Sequence, residues 1–370
     1  MINNVSFIGI INRMREFDGG RGTEANPYRI VKVRHLRNAG KYSAAHYKLE
    51  NDIVFTDEFE EDGEYYNNGS LWIPISNFNG VFDGQGYKIE NLKSKLTGSG
   101  AGSFIRTMNV SGSALKNVYF KNIYVSGDTS ASNSGGIIGT SNTNCTIEGI
   151  YVDGFIRLGH TSGGLFGRGG HIKRCATNIT IYGYPNPQGG YAMGGLGGGS
   201  STTQIIDDSY TRGILYGYYQ RGAIYGSTFG TTVNRSMTYM TLAHSSNMGV
   251  GIDESWHRAG IISSRDYSTS FNVGAYDCFF DRQLVGTTYT WANTGFPKGN
   301  ALYTNQMTYP YANYVDEFTA IEGLPYSTWD FDTVWAHDVD GDINNGYPYL
   351  RGVTPLPSSE FDYTFNFKVQ

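Results

Sequence analysis

The chain has 370 residues and a formal net charge of −5, with 28 Lys and Arg residues against 33 Asp and Glu residues. This balance, and the lack of any Lys/Arg cluster, exclude nucleic acid as the expected partner, because binding it depends on neutralising phosphates. No apolar run approaches the ~20 residues that span a bilayer, so no membrane span is expected.

The composition favours turns and a weakly charged surface. Glycine contributes 50 residues and charged residues make up 16% of the chain, below the roughly 25% of ordinary soluble proteins. The 29 Tyr and 20 Phe residues carry more aromatic area than a narrow β interior normally holds. Some of these rings are therefore expected on the surface, where they favour binding.

Residues 1–17 interleave apolar residues such as Ile8 and Ile10 with polar ones such as Asn12 and Arg13. We expect this segment to cap the N-terminal end of the fold or to attach the chain to another virion protein. No basic residue precedes the apolar run at 5–11 and no small-residue cleavage site follows it, so a secretion signal is not expected.

Residues 18–98 are predicted to form the N-terminal coils of a β-helix. The turn sequence Asp-Gly-Gln-Gly at 83–86 lies between the apolar residues Val81 and Ile89, which are spaced as in strands. Six acidic residues within 57–64 are expected to form a solvated insertion loop.

Residues 99–283 contain pairs of small residues that recur every 28 to 37 residues, each followed by apolar residues. The pairs begin at Gly102, Gly135, Gly163, Gly194, Gly222 and Ala259. Such a period with variable insertions predicts an all-β, single-stranded right-handed parallel β-helix, a solenoid, with irregular capping segments at both ends.

The repeats align into three inward columns and one outward column. The first inward column is Leu115, Ile147, Ile172, Ile206 and Val233; the second is Val118, Ile150, Cys175, Ser209 and Ser236; the third is Phe120, Val152, Thr177, Thr211 and Thr238. The outward column is Lys116, Glu148, Lys173, Asp207 and Asn234, which predicts a modest surface charge ladder. Toward residue 240 the interior is expected to become more polar.

Several segments occur in the order typical of one family. They are 20–30, 47–53, 72–75, 78–92, the Gly-Gly-Leu-Phe-Gly block at 163–167, 278–281, 329–335 and 345–350. In this order the chain resembles the GLUG-motif parallel β-helix proteins over about residues 18–351. That family consists mostly of repetitive bacterial surface proteins and adhesins, so the resemblance implies a surface role and the same fold.

Residues 284–354 are predicted to form irregular C-terminal coils and contain a candidate calcium loop. Oxygen side chains alternate at Asp338, Asp340, Asp342 and Asn344, as in loops that wrap a calcium ion. The closing glutamate of an EF-hand loop is absent, because Tyr349 occupies its position. A solvated Asx-rich turn without an ion is the alternative.

Residues 355–370 are predicted to form a C-terminal strand, because apolar and polar residues alternate strictly over 361–369. A strand this apolar needs a partner sheet. Either it caps its own coil or it pairs between subunits, in which case a homo-oligomer such as a trimer is expected.

Tyrosine-rich segments at the outer turns of two consecutive coils are the candidate ligand site, because tyrosine beside Asn, Gln and Arg suits sugar recognition. The candidate residues are Tyr182, Tyr184, Tyr191, Tyr216, Tyr218, Tyr219 and Arg221. Packing within the turns explains these tyrosines almost as well.

No residue is assigned a catalytic role. Asp207 and Asp208 are adjacent, and strand neighbours point in opposite directions, so they are not expected to form an acid/base pair unless a turn intervenes. The sequence lacks a nucleophile elbow, a metal-type histidine pair and a phosphate loop. The three cysteines, Cys145, Cys175 and Cys278, are expected to fill the interior.

These patterns favour a non-enzymatic, elongated surface or virion protein that binds a cell-surface receptor or glycan, such as a phage tail spike, fibre or decoration protein. The alternatives are a secreted bacterial adhesin and a polysaccharide lyase or glycoside hydrolase built on the same scaffold. A virion-surface or extracellular location follows from each.

Overall fold

The protein is described by a computed structural model over residues 16–66, 69, 71–96, 102–127, 134–159, 161–183, 192–200, 204–217, 220–228, 230–244, 258–262, 274–280 and 328–356. Nearly all regular structure in these ranges is β, and successive strands pair in parallel from coil to coil. The predicted parallel β-helix is therefore confirmed. None of the helices in these ranges is long and apolar enough to cross a membrane.

In chain order the elements are β1 (Tyr28–Ile30), α1 (Val33–Asn38), a 3-10 helix (Ala39–Lys41), β2 (His46–Leu49), β3 (Ile53–Val54), β4 (Ile75–Asn77), β5 (Val81–Asp83), β6 (Lys88–Glu90), β7 (Lys93–Leu96), β8 (Ile105–Met108), β9 (Ala114–Gly127), β10 (Ser134–Gly135), β11 (Ile138–Ser141), β12 (Thr146–Leu158), β13 (Ser162–Gly163), β14 (Phe166–Arg168), β15 (His171–Lys173), β16 (Ala176–Gly183), β17 (Ala192–Gly194), β18 (Gly197–Ser200), β19 (Gln204–Asp207), β20 (Tyr210–Gly217), β21 (Gln220–Gly222), β22 (Tyr225–Thr228), β23 (Thr231–Asn234), β24 (Met237–His244), β25 (Arg258–Ala259), β26 (Gly274–Tyr276), β27 (Phe279–Phe280), β28 (Trp335–Ala336) and β29 (Tyr349–Leu350).

The strands of the coils assemble into three parallel sheets, of which the large one begins at the first coil and the other two begin at later coils. The large sheet has sixteen strands and follows the path β1-β2-β5-β9-β12-β15-β19-β23-β26, with β16, β20, β24 and β27 continuing the later coils beyond a corner. The other two sheets have six strands, from β4 to β22, and five strands, from β10 to β25. Because every coil pairs only with its neighbours, the fold grows by stacking.

Each coil turns between two parts of the large sheet through one residue with a left-handed backbone. Their φ values lie between 43° and 66°, and the residues are Asn117, Gly149, Arg174, Asp208, Arg235 and Asp277. Backbone hydrogen bonds to the next coil hold several of them, such as Asp208 N to Asn234 O at 3.1 Å. The corner column therefore combines residues that tolerate this conformation with residues that the neighbouring coil holds in it.

The interior columns have the predicted register. Ile147 pairs with Leu115 and Ile172, and the column continues through Ile206 to Val233. All five side chains are fully buried. The same column extends toward the N-terminus through Phe82 and Tyr47, so the alignment of the repeats applies to the N-terminal coils as well.

The predicted polar drift of the interior is confirmed in the third column. Thr211 Oγ1 lies 2.6 Å from Thr238 Oγ1 and 2.8 Å from the carbonyl oxygen of Ala223, and all these groups are buried. Thr177 Oγ1 donates to the Gly195 carbonyl at 3.2 Å. Cys145, Cys175 and Cys278 are free and buried, as expected of interior fillers.

The small-residue pairs stack in one column, as predicted. Gly135 pairs with Gly163, Gly163 with Gly194, and Gly194 with Gly222. The apolar residues that follow also align, and among them Gly197 lies between Phe166 and Tyr225. A Cβ on Gly197 would lie 2.3 Å from Phe166 Cζ and 2.5 Å from Tyr225 Cε2, so only glycine fits between these rings.

The N-terminal coils hold more aromatic rings inside than composition suggested. A buried group of rings occupies their interior: Phe17, Tyr28, Tyr47, Phe55, Phe59, Trp72, Phe78, Phe82, Phe104 and Phe120. Phe17 stacks on Tyr28 with ring centroids 4.3 Å apart, so the described end of segment 1–17 covers the first coil. Residues 1–15 of the predicted cap lie outside the described residues.

The outward charge ladder has the predicted register but different ion pairs. Glu148 lies opposite Lys116 and Lys173, and Lys173 lies opposite Asp207. Glu148 nevertheless pairs with Arg174 at 2.9 Å, and Asp207 with Arg235 at 3.4 Å. The partners of Glu148 and Asp207 thus come from the corner column, whereas Lys116 pairs with Asp83, which lies opposite it on β5, at 3.5 Å. The predicted acidic loop at 57–64 is largely exposed.

Candidate functional site

The outward surface of β9, β12, β16 and β20 is the candidate site, and we call it the lateral face. It consists of four parallel columns of side chains, one per outward position. In order along the strands they are Tyr119, Tyr151, Ala176, Tyr210, Met237 and Phe279; Asp153, Asn178, Arg212 and Tyr239; Lys93, Tyr124, Phe155, Thr180, Ile214 and Thr241; and Lys95, Ser126, Arg157, Tyr182, Tyr216 and Ala243.

The C-terminal segment 328–356 covers the first two columns. It holds the antiparallel pair β28 and β29, and its apolar side chains form one buried cluster with the first column. Tyr239 stacks on Tyr347 with centroids 4.2 Å apart and planes 4° apart, and Tyr210 OH lies 3.0 Å from Thr354 Oγ1. The segment is therefore packed against the side of the β-helix.

Polar contacts complete this interface. Arg212 Nη1 donates to Asn344 Oδ1 at 3.1 Å, and the Tyr239 hydroxyl donates to the same oxygen. Asn344 Nδ2 donates in turn to the Pro348 carbonyl at 2.7 Å. Because Asn344 is fully buried, these bonds satisfy polar groups that would otherwise be costly to bury.

Asp153 occupies the second column at the border of the covered part. Its carboxylate accepts hydrogen bonds from the Tyr119 hydroxyl and the Asn122 backbone N–H. Burial raises the pKa of Asp153 although both hydrogen bonds act to lower it. Burial, with the nearby Asp153 charge, also raises the pKa of Tyr119 far above its ordinary value. This pair is therefore a buried polar contact, with Tyr119 as the donor.

The third and fourth columns remain open and carry exposed rings. Tyr124 is 44% exposed and stacks on Phe155 with centroids 5.6 Å apart and planes 15° apart. The Arg157 guanidinium carbon lies 5.7 Å from the Tyr182 ring centroid, and Tyr182 and Tyr216 are 5.8 Å apart. We call these five residues the aromatic ladder. Its rings belong to successive coils, spaced at the ~4.8 Å of paired strands.

Sequence reasoning located part of this ladder. Tyr182 and Tyr216 lie opposite each other on β16 and β20, on the lateral face and half-buried. Tyr184, Tyr191, Tyr218 and Tyr219 lie outside the described residues. Tyr124, Phe155 and Arg157 were missed, although continuing the column alignment past Phe120 and Val152 would have found them.

Arg221 is a correction to the predicted ligand site. Its side chain is 1% exposed, and Nη1 donates to the Ala243 carbonyl at 3.0 Å. The side chain is thus enclosed within the stack, and its guanidinium serves the fold by binding a backbone carbonyl.

The candidate calcium loop is held by its own hydrogen bonds. The Asp338 carboxylate accepts the backbone N–H groups of Ile343, Asn344 and Gly346, at 2.6 to 3.2 Å. Asp340 and Asp342 are exposed. Within the described part of the chain, no group of three or more His, Cys, Asp or Glu side chains is placed to hold a metal ion. A calcium ion here stays a prediction.

The expectation that Asp207 and Asp208 diverge is corrected by the corner. Asp208 has the left-handed φ of 47°, so a turn intervenes and both carboxylates project to one side. Arg235 Nη2 lies 3.4 Å from Asp207 Oδ1 and 3.0 Å from Asp208 Oδ2, and His171 Nε2 lies 3.3 Å from Asp207. Hydrogen bonds to Asp208 raise the pKa of Arg235.

Comparison with known proteins gives one sequence relative and one structural neighbour of note. No family model matches the chain. Over 153 residues the chain is 28% identical to halomucin of Haloquadratum walsbyi, a match that covers 40% of this chain and 2% of halomucin. A candidate immunoglobulin A1 protease from Bacteroides ovatus matches with a TM-score of 0.64 and 19% identity, covering 91% of this chain and 95% of that one. At this identity the structural likeness shows a shared fold.

Proposed function

We propose that this chain is a non-enzymatic, elongated surface protein that binds glycans through its aromatic ladder. The observation that carries the proposal is the run of half-exposed rings on successive coils, from Tyr124 and Phe155 to Tyr182 and Tyr216. Rings that present an apolar face beside a hydroxyl suit sugars, which are apolar on their faces and polar at their edges.

The regular spacing of the ladder supports an extended ligand. The rings come from four successive coils whose strands lie ~4.8 Å apart, and the ring centroids within each pair are 5.6 and 5.8 Å apart, so successive sugars of a chain can each meet a ring. The ladder also lies beside the C-terminal segment, which borders the open columns along one side. A rigid β scaffold holds the rings in place, which lowers the entropy that binding would otherwise cost.

An extracellular location belongs to the same proposal. The sequence relative is named halomucin, and the structural neighbour is a candidate immunoglobulin A1 protease; both names are consistent with such a location. The resemblance to GLUG-motif adhesins points the same way. Within this proposal the chain serves as a phage tail spike, fibre or decoration protein on a virion surface, or as a secreted bacterial adhesin.

Binding of the full chain to an immobilised glycan panel tests the function, with Y124A and Y182A as ladder variants. An exposed aromatic contact is worth about 0.5 to 1.5 kcal/mol, so each variant should weaken binding about twofold to tenfold. Tyr276→Ala is a matched control, because Tyr276 is 36% exposed in the charge-ladder column of the first part of the sheet. Equal binding by wild type and both ladder variants would refute the ladder as the site.

Assembly through the C-terminal strand completes this proposal. Residues 357–370 lie outside the described residues, and the alternating pattern at 361–369 is the basis for expecting a homo-oligomer such as a trimer. Light scattering of the full chain and of a chain ending at residue 354 measures the mass directly. An unchanged mass after truncation would remove the proposed strand pairing.

A polysaccharide-cleaving enzyme is the second candidate, favoured by the placement of Asp207 and Asp208 on one side of the corner. Two carboxylates about 5 to 9.5 Å apart are what glycoside hydrolysis requires, but here Arg235 ion-pairs with both. Release of reducing ends from host polysaccharide, lost in D207N and D208N, would establish this activity and end the non-enzymatic proposal.

A further inference from the structure

The geometry points to an acidic glycan as the ligand of the lateral face, with a sugar carboxylate held over Ser126 between Lys95 and Arg157. This inference rests on the proposed glycan-binding function and names the substrate class of the same site. It follows from three features of the open columns: the order of residues along the fourth column, the distribution of charge, and the position of the Tyr124 ring.

The fourth column places two cations on either side of a small hydroxyl residue. Lys95 lies opposite Ser126 in the pairing of β7 with β9, and Ser126 lies opposite Arg157 in the pairing of β9 with β12. Lys95 and Arg157 are exposed, and Ser126 is half-buried. Their backbones are two strand spacings apart, or ~9.6 Å, which leaves room for an anion above the serine to meet both side chains.

The charge of the open columns is wholly positive. The twelve residues of the third and fourth columns include Lys93, Lys95 and Arg157 but no Asp or Glu. Lys93 Nζ lies 3.4 Å from Glu60, and these side chains are 40% and 68% exposed, so solvent screens that pair. A local excess of cations in a chain of net charge −5 is complementary to an anionic ligand.

The acidic residue of the neighbouring second column does not offset this charge. Asp153 of the second column is buried, and its carboxylate is occupied by Tyr119 and Asn122. The Arg157 guanidinium carbon lies over the Tyr182 ring, and a guanidinium has five N–H donors around its edge, the geometry that binds a carboxylate.

The Tyr124 ring explains why the anion is carried on a sugar. Tyr124 and Ser126 are two residues apart on β9, so both project from the same face of the sheet. A sugar ring lying on Tyr124 therefore has its substituents near Ser126 and the two cations. An acidic peptide would use the cations but not the exposed ring surface of Tyr124, which is 44% exposed.

Titration of the full chain with polygalacturonate oligomers tests the inference, with carboxyl-reduced oligomers of equal length as the neutral probe. We expect the acidic probe to bind about tenfold more tightly, with an affinity that falls as salt rises. Lys95→Gln and Arg157→Gln should each weaken the acidic probe about threefold to tenfold, and K95Q, which lies outside the aromatic ladder, should leave the neutral probe unchanged. Lys173→Gln is the matched control, because Lys173 is an exposed lysine in the charge-ladder column.

The outcomes separate this inference from the function on which it rests. Equal affinity for acidic and neutral probes overturns the acidic ligand and leaves glycan binding in place. Failure of both probes, with none retained on the glycan panel, overturns both. An equal loss in K173Q would identify unspecific attraction, and tighter binding of polyglutamate would identify an acidic peptide; each overturns the inference. If R157Q unfolds, the K95Q result alone decides the test. Lys95 makes no ring contact among the described residues, so its substitution removes the charge without removing such a contact.

Discussion

Arg212 and Asn344 are 132 residues apart in the chain and are joined by a buried hydrogen bond of 3.1 Å. It ties the C-terminal segment to the lateral face of the β-helix. Asn344 Oδ1 also accepts the Tyr239 hydroxyl, so one amide oxygen serves two donors from neighbouring positions on the sheet.

Asn344→Ala should release this segment. The substitution leaves the Arg212 guanidinium and the Tyr239 hydroxyl buried without their acceptor, at an expected cost of about 2 to 4 kcal/mol. Chemical denaturation monitored by tryptophan fluorescence measures this loss of unfolding free energy, because Trp329 and Trp335 lie in the segment. Asp342→Ala, an exposed change in the same loop, should have no such effect. Wild-type stability of N344A would show that apolar packing alone holds the segment.

Gly197→Ala should destabilise the stack by overpacking. Its Cβ would lie 2.3 Å from Phe166 and 2.5 Å from Tyr225, and overpacking of this kind costs about 1 to 3 kcal/mol. Thermal unfolding measures the loss, and Gly40→Ala is the control, because the Cβ of that variant meets only Ile75 at 3.9 Å. Adding Phe166→Ala to G197A should cost less than F166A does alone. Additive costs for the two changes would argue against the clash.

Thr211→Val tests the hydroxyl column in the interior. The variant keeps the shape of the side chain but loses the contacts to Thr238 Oγ1 and the Ala223 carbonyl, at about 0.5 to 1.5 kcal/mol. Thr232→Val, at a half-buried outward position of β23, should change the free energy of unfolding by less than about 0.5 kcal/mol. A T211V protein as stable as T232V would mean that shape alone matters in this column.

The pH dependence of stability should report Asp153. Its pKa is raised in the fold from the ordinary value of 3.8, chiefly by burial, so the native state favours the protonated carboxyl. This contribution is complete below about pH 4 and is lost as pH rises through the raised pKa. The free energy of unfolding of wild type minus that of D153N should therefore fall over this range. A difference for D153N that does not change with pH would contradict the assignment.

Calcium should leave the 338–344 loop unchanged. An ion there must take the Asp338 carboxylate from three backbone N–H groups and the Asn344 oxygen from Arg212 and Tyr239. We therefore expect equal melting temperatures in calcium and in chelator. A rise in calcium that disappears in D340N and D342N would establish the ion site that the alternating oxygens predict.

The stacking register could be predicted from sequence because the chain repeats it. Leu115, Ile147 and Ile172 recur with the same neighbours in each coil, so one alignment fixes which side chains meet. The alternating charge of the side chains in the outward column followed from the same alignment. Its ion pairs did not, because the partners Arg174 and Arg235 lie at a corner where the backbone φ is positive. Strand alternation does not apply to such a residue.

The covered half of the lateral face could not be read from the repeats. Tyr119, Tyr151 and Tyr210 occupy an outward column, and alternation alone predicts that outward rings face solvent. Their cover is the segment 328–356, which begins nearly fifty residues after β27. No periodic pattern links it to the coils. Continuing the alignment places Tyr124 and Arg157 in outward columns, but only the position of the segment shows that these columns stay open.

The C-terminal segment also fixes the number of coils that lie between its two points of contact with the stack. Tyr210 OH meets Thr354, and Trp329 Nε1 donates to the Asp277 carbonyl at 2.9 Å, so the segment holds two coils that are two strand spacings apart. A coil inserted between them would move one contact by ~4.8 Å, far beyond the reach of a hydrogen bond. A β-helix can otherwise lengthen by simple duplication of coils. Here a duplication would have to be matched by a change in the segment. Insertion of one coil copy should therefore detach the segment, and limited proteolysis would then cleave it faster than in the wild type.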